Sequence, residues 1–146
     1  MPPHSWRRLW LGVSFDETDD WAHDGRYDLV LASLHRVDDY VARLWTLVQS
    51  MPEYRGRTTF IITTDHGRGD GRTTWRDHGR KVPESEQIWL GVIGPDTPPL
   101  GERHQTLLVT QSQIPATLAA LLGEDWRKAE PRAAAPIPDV LGSKPR

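Results

Sequence analysis

Cysteine is absent from the 146 residues of this sequence. Disulfide bonds and thiolate metal sites are therefore excluded, and any bound metal ion must be held by nitrogen and oxygen atoms. The lack of cysteine gives no firm indication of a cellular compartment.

Long apolar runs are also missing. No stretch approaches the length of about 20 apolar residues that a membrane-spanning helix needs, so no membrane span is predicted. Arg7 and Arg8 precede a short apolar run, but Asp16 and Glu17 follow it in place of a small-residue cleavage site. We therefore expect no signal peptide in this chain. The compartment stays open, because an export signal could lie upstream of Met1 in a longer parent protein.

An excess of positive charge is lacking as well, since 18 basic residues stand against 20 acidic ones and the sequence pI is about 6.3. A dedicated nucleic-acid binder is expected to be strongly basic, so no nucleic-acid partner is predicted. The positive charge is nevertheless uneven. Four arginines recur every four residues in one segment, namely Arg68, Arg72, Arg76 and Arg80.

These arginines have three interpretations. Arg68 and Arg76 are the candidates for bidentate binding of an anionic substrate, and solvated loop charges are the alternative. A nucleic-acid patch is a third interpretation, and the acidic overall charge argues against it. Glycines between the arginines argue against a helix that would align them on one face.

Three short apolar runs have the character of buried strands. They are LWLGVSF at 9–15, TTFIITT at 58–64 and QIWLGVIG at 87–94. Apolar residues at steps of three and four predict an amphipathic helix over 27–49, and a second helix is predicted through IPATLAALL at 114–122. This alternation of strands and helices is typical of an α/β fold built on a parallel sheet.

We therefore expect one α/β domain over residues 1–123. Residues 124–146 are rich in alanine and proline and are expected to form a poorly ordered tail. In a parallel sheet, ligands bind at the carboxyl ends of the strands. The acidic segment after the first run and the histidine-rich segment after the second are therefore expected at the same edge of the sheet.

Five side chains in these segments are candidate metal ligands. Asp19 and His23 are four positions apart, which places them on one face of a helical turn. Asp65 and His66 follow a predicted strand directly, and His78 follows a glycine-rich excursion that can fold back. Two carboxylates and three imidazoles suit zinc or another first-row divalent ion.

Each of these patterns also has a structural interpretation. An Asp-His pair after a strand often caps a turn, and Asp-x-x-x-His is common in surface helices. Asp16, Glu17 and Asp20 compete with Asp19 for the ligand role, and the spacing to His23 favours Asp19. Asp77 could orient the ring of His78 or could be an exposed loop carboxylate.

The segments ETDDWAH, TTDHG, WRDHG, IWLGVIGP and TQSQIPATLAALLG occur in this order over residues 9–123. In order and spacing they resemble the C-terminal half of the alkaline phosphatase superfamily, which includes phosphatases, phosphodiesterases, phosphoglycerate mutases and sulfatases. The resemblance implies a layered fold based on a parallel sheet, with the N-terminal strands absent. It also implies a metal-dependent hydrolase or phosphotransferase that acts on small phosphate or sulfate esters.

The resemblance further implies two divalent metal ions, with zinc favoured over manganese. One ion would be bound by Asp19, His23 and His78, and the other by Asp65 and His66. Calcium is disfavoured, because it prefers sites made of oxygen atoms alone.

The sequence departs from the family in one respect, because no residue before position 16 matches the family's nucleophile. We therefore expect a fragment, or one part of a longer enzyme, that carries the metal-binding half. A catalytically silent remnant that binds metal or a partner chain is the alternative. The missing strands would leave an exposed sheet edge through which the chain could associate.

Overall fold

The structure is a computed structural model that describes residues 8–104 and 107–142. It contains four α-helices and two β-strands in the described chain. In order these are α1 (Glu17–His23), α2 (Tyr27–Ser50), β1 (Phe60–Thr63), β2 (Leu90–Ile93), α3 (Ile114–Leu121) and α4 (Trp126–Ala129). The chain divides into two compact units. One comprises residues 13–94, and the other comprises residues 1–12 together with 95–146.

The predicted parallel sheet is wrong. β1 and β2 form a two-stranded antiparallel sheet, in which Phe60 pairs with Ile93 and Thr63 pairs with Leu90. A parallel pair needs a long crossover connection, which is usually a helix. Between β1 and β2 the chain contains a single helical element, the three-residue 3-10 helix Thr74–Arg76, so it returns without a crossover.

The predicted first strand is also wrong, because residues 9–15 have no regular secondary structure. Their apolar side chains are exposed, and Leu11 is the most exposed of them at 70%. An apolar run forms a strand only when a neighbouring strand takes up its backbone hydrogen bonds. The two later runs find such partners in each other. The common edge of a parallel sheet, which was expected to bring the candidate ligands together, is therefore absent from the described residues.

In the unit of residues 13–94, α1 packs against α2. The predicted long helix is confirmed as α2. Ala22 of α1 is fully buried, and Ser33 of α2 is 1% exposed. Trp45 of α2 meets Phe60 of β1 edge-on, with their ring centroids 5.2 Å apart. These contacts hold α1 and the start of β1 against α2 within one unit.

In the second unit, α3 is the principal helix. Thr110 and Gln113 form a capping box ahead of it, Pro115 lies in its first turn, and Gly123 follows it with a φ of 75°. The predicted helix is confirmed, and these residues are typical of the start and the end of a helix.

The predicted tail of residues 124–146 contains ordered elements within the described part. These are α4 and a 3-10 helix at Pro138–Val140, and the N–H of Ile137 donates to the buried hydroxyl of Thr117 at 2.9 Å. Residues 143–146 of the predicted tail lie outside the described residues. So does Arg7, on which the expectation about a signal peptide partly rests.

Few apolar side chains are buried in the described chain. They are Ala22, Ala116, Ile137 and Val140, and of these only Ala22 belongs to the unit of residues 13–94. Within residues 8–104 and 107–142, none of the helices combines the length and the apolar character that crossing a membrane requires.

Candidate metal centre

Asp19 and His23 lie on the same face of α1, as their spacing predicts. His23 Nε2 is 3.4 Å from Asp19 Oδ2. α1 is held in place by Glu17, whose carboxylate accepts hydrogen bonds from Arg36 Nη2 at 2.5 Å and from Ser33 Oγ at 3.1 Å, both on α2. The hydrogen bond from Arg36, reinforced by that from Ser33, lowers the pKa of Glu17 below its ordinary value. The packing of α1 on α2 thus sets the position of Asp19.

His66 lies just beyond the end of β1. Its Nδ1 is 2.9 Å from the carbonyl oxygen of Gly67. Because a carbonyl can only accept, Nδ1 must carry the proton in this contact, and the lone pair of a neutral ring is then on Nε2. That Nε2 atom lies 3.6 Å from Asp19 Oδ1. A hydrogen bond that fixes one ring nitrogen and leaves the other to a ligand is typical of histidines that bind metals.

His78 reaches the same carboxylate oxygen from the far side of the loop. Its Nε2 lies 3.7 Å from Asp19 Oδ1. The next residue, Gly79, is held by the side chain of Ser85, because the Ser85 hydroxyl donates to the Gly79 carbonyl at 2.9 Å. Ser85 is 6% exposed. This hydrogen bond connects the segment that carries His78 to Ser85, which lies later in the loop between β1 and β2.

The rings of His66 and His78 are stacked. Their centroids are 3.7 Å apart and their planes differ by 12°. Nearly parallel rings direct their in-plane lone pairs side by side. For both nitrogens to bind one ion, at least one ring would have to turn.

Asp19, His66 and His78 form a group that could hold a metal ion. One ligand atom from each lies within 4.8 Å of those of the other two. Tetrahedral zinc, with ligands at about 2.0–2.1 Å, places its ligand atoms about 3.3 Å apart. The observed separations of 3.6 Å and 3.7 Å from Asp19 Oδ1 exceed this spacing by a few tenths of an ångström, and binding of one ion by both rings would also require the ring rotation described above.

The other two predicted ligands are peripheral to this group. The ring of His23 is 5.1 Å from that of His78 and tilted by 52°. The Asp65 side chain is 90% exposed, and its Oδ2 is 3.7 Å from His66 Nε2. The closest group therefore combines residues from both implied ion sites, and the division into two ions stays a prediction.

The two predicted anion-binding arginines have specific contacts. Arg68 Nη2 donates to Asp19 Oδ1, and Arg68 Nη1 donates to the backbone carbonyl of Arg76 at 3.0 Å. The guanidinium of Arg76 lies over the ring of Trp75, with 5.6 Å between its Cζ and the ring centroid. A Cβ at Gly25 would lie 2.6 Å from the same guanidinium carbon. Arg68 thus contacts the candidate ligand set directly, whereas the described contacts of the Arg76 guanidinium are with Trp75 and Gly25.

Two supporting contacts gave no signal in the sequence. Glu17 and Arg36 are 19 positions apart, and Ser85 and Gly79 are joined across an irregular loop. Neither pair follows a helical or strand spacing. Two of the three competing carboxylates have other partners, since Glu17 accepts hydrogen bonds from α2 and Asp16 accepts a hydrogen bond from Ser14 Oγ at 2.9 Å.

Comparison of the chain with protein-family models, with curated protein sequences and with solved structures found no match. The resemblance to the alkaline phosphatase superfamily therefore stays a prediction, and the case for a metal centre rests on the geometry of Asp19, His66 and His78.

Proposed function

We propose that this chain is the metal-binding part of a metal-dependent hydrolase or phosphotransferase that acts on small phosphate or sulfate esters. The observation that carries the proposal is the convergence of two imidazole nitrogens on one carboxylate oxygen, with His66 Nε2 and His78 Nε2 lying 3.6 Å and 3.7 Å from Asp19 Oδ1. The mixed nitrogen and oxygen ligands favour a transition metal, with zinc first and manganese second.

The chemistry of the ligand set agrees with this reaction class. One carboxylate and two neutral imidazoles leave a positive charge on a bound divalent ion, and such an ion polarises a phosphoryl oxygen and lowers the pKa of a water molecule. The side chains of this chain orient the site. Gly67 fixes the His66 ring through its carbonyl, and α1 presents Asp19.

A second ion is part of the proposal. In the division that the resemblance implies, His23 would complete one site with Asp19 and His78, and Asp65 would form the other with His66. Two ions about 3.5–4 Å apart can stabilise both the attacking and the leaving oxygen of a displacement at phosphorus.

Calorimetric titration of the purified chain with zinc and with manganese tests the metal centre. Removing one ligand of a three-ligand set is expected to weaken zinc binding by about 10-fold or more, so Asp19→Asn and His78→Ala should both lose affinity. His35→Ala is the matched control, because His35 is an exposed histidine on α2 outside the group. Equal zinc affinity in all four proteins would contradict the proposal.

The alternative is a catalytically silent chain that binds metal or a partner without turnover. It is favoured by the scarcity of buried apolar side chains in residues 13–94, where Ala22 is the one described example. A body with so little core is expected to need a covering partner. Zinc-dependent hydrolysis of an aryl phosphate by the purified chain, abolished by Asp19→Asn, would exclude this alternative. Zinc binding without turnover would support it.

A further inference from the structure

The carboxylate oxygen at the centre of the candidate ligand group also faces a cation of the chain itself. Arg68 Nη2 donates to Asp19 Oδ1, the same atom that lies nearest to His66 and His78. The same nitrogen lies 3.4 Å from the Asp19 carbonyl oxygen. The Arg68 side chain is 22% exposed, so this ion pair is partly shielded from water.

A divalent ion and the guanidinium cannot share this position. A metal ion bound to Asp19 Oδ1 at about 2 Å would lie within a few Å of Arg68 Nη2, where two positive charges repel strongly in a partly shielded site. The second oxygen, Oδ2, faces His23. Metal binding to Oδ1 therefore requires Arg68 to leave that atom.

Arg68 has a second anchor that would keep it close after such a displacement. Its Nη1 donates to the backbone carbonyl of Arg76 at 3.0 Å, and this contact does not involve Asp19. The N–H of Nη2 that leaves Oδ1 would then be able to donate to another acceptor. A planar guanidinium binds the oxygens of phosphate and sulfate well, because its N–H donors match two anion oxygens at once.

We propose that Arg68 is a displaceable internal cation that couples metal binding to anion binding. A divalent ion takes the place of the guanidinium on Asp19 Oδ1, and the released guanidinium binds the tetrahedral oxyanion of the substrate beside the metal. The inference rests on the proposed metal centre and adds a role that the ligand set alone does not imply.

The setting of the site agrees with this assignment. The pocket next to His23 is lined by the carboxylates of Glu17, Asp20 and Asp24, which repel an anionic ester. Arg68, by contrast, brings a positive charge to the metal ligands themselves. An anion attracted by both the metal and Arg68 is expected to raise the affinity for the metal, and the metal to raise the affinity for the anion by the same factor.

Arg68→Gln tests the coupling. We expect the variant to bind zinc about fivefold more tightly than the wild type in the absence of a tetrahedral anion, which is the effect of losing one partly exposed competing ion pair. Sulfate at constant ionic strength should raise the zinc affinity of the wild type, and it should raise that of Arg68→Gln much less. Both quantities come from calorimetric titration with zinc.

Two further variants make the result specific. Arg72→Gln removes an exposed arginine from the same loop and should behave as the wild type. Arg68→Lys keeps the charge without the second donor nitrogen, so we expect near-wild-type zinc affinity and a smaller gain from sulfate. If circular dichroism shows that Arg68→Gln does not fold, the gain in zinc affinity from sulfate is compared between Arg68→Lys and the wild type instead.

The possible failures are distinguishable. If the wild type binds zinc and Arg68→Gln binds it with equal or lower affinity, the role of Arg68 is overturned and the metal centre stays intact. The same holds if sulfate raises the zinc affinity of Arg68→Gln as much as that of the wild type. A sulfate effect in Arg68→Lys equal to that of the wild type also counts against it. Failure of the wild type and of Arg72→Gln to bind zinc overturns the metal centre and the coupling together.

Discussion

At Gly67 the backbone passes so close to the far end of its own loop that no side chain fits. A Cβ there would lie 2.2 Å from the carbonyl oxygen of Gln87. The Gly67 N–H donates to the Ser85 carbonyl at 2.7 Å, and the Gly67 carbonyl accepts from the ring of His66. The residue is glycine because of this close approach, and its small size lets the loop hold His66 in place.

Gly67→Ala should therefore both destabilise the unit of residues 13–94 and weaken zinc binding. Overpacking of this kind costs about 1–3 kcal/mol in the free energy of unfolding, measured by urea denaturation, and the shifted carbonyl would release the His66 ring. Gly91→Ala is the control, since a Cβ at Gly91 would meet its nearest atom at an ordinary 3.6 Å. Equal effects of the two substitutions would contradict this account.

The residue types of the site were predictable from the sequence, but their contacts were not. The spacing of Asp19 and His23 gave their common face, because helical periodicity is local. The meeting of His66 and His78 with Asp19 depends on packing between segments far apart in the chain. The contact between Arg68 and Asp19 belongs to the same class, and residue spacing could not reveal it.

At the scale of elements, α1 depends on α2 for its position. It has seven residues, and a helix of that length is unstable alone in water. The hydrogen bonds from Arg36 and Ser33 to Glu17 tie it to a helix of 24 residues. The position of Asp19 next to His66 and His78 therefore depends on the contacts that Glu17 of the same short helix makes with α2.

Glu17→Gln should weaken zinc binding without touching a ligand. The charged contact with Arg36 is exposed, so we expect a loss of affinity of less than about fivefold. Calorimetric titration measures it, and Glu53→Gln, which removes another exposed carboxylate from the same unit, serves as the control. A larger loss in the control than in Glu17→Gln would show that α1 is held by other contacts.

The same carboxylate gives a pH dependence with a definite sign. The hydrogen bond from Arg36 keeps the pKa of Glu17 below its unfolded value. Its contribution to stability is therefore present above the unfolded pKa and is lost as the pH falls through the lowered folded pKa. The difference in urea stability between the wild type and Glu17→Gln should shrink as the pH is lowered from about 7 to about 3. A difference that persists unchanged in acid would contradict the assignment.

The elements themselves were predicted unevenly. α2, α3 and both strands follow from local periodicity and capping residues, which the sequence displays. The direction of β2 against β1 was predicted wrongly, because strand orientation depends on how the connection returns and not on the composition of either strand. Residues 9–15 were assigned to a strand on composition alone, and composition does not supply a partner strand.

At the scale of the whole molecule, large apolar side chains remain at the surface of both units. Leu47 on α2 and Ile93 on β2 are 55% and 49% exposed, and Leu107 and Leu108 are exposed by more than four-fifths. Exposed apolar surface of this extent is typical of proteins that associate. β1 and β2 pair only with each other among the described residues, so each strand also has an outer edge.

Self-association through the sheet edge is therefore expected as the concentration rises. Ile93→Lys should reduce it, because a lysine on an edge strand disfavours pairing with another strand. Sedimentation velocity at low and high concentration gives the measurement. Leu47→Lys introduces the same charge at an equally exposed apolar site on α2 and is the control. If both substitutions reduce self-association equally, the chains associate through exposed apolar side chains in general and not through the sheet edge.

Because two of the candidate ligands lie in the loop between β1 and β2, metal binding is expected to change how readily a protease cuts that loop. His66 and His78 lie on either side of the exposed Arg72 in the sequence, and their Nε2 atoms lie 3.6 Å and 3.7 Å from Asp19 Oδ1. A bound ion would close residues 67–77 into a ring, and a protease must open such a segment before it can cut. Zinc should therefore slow tryptic cleavage after Arg72 in the wild type but not in Asp19→Asn, and mass spectrometry of the fragments would show the difference.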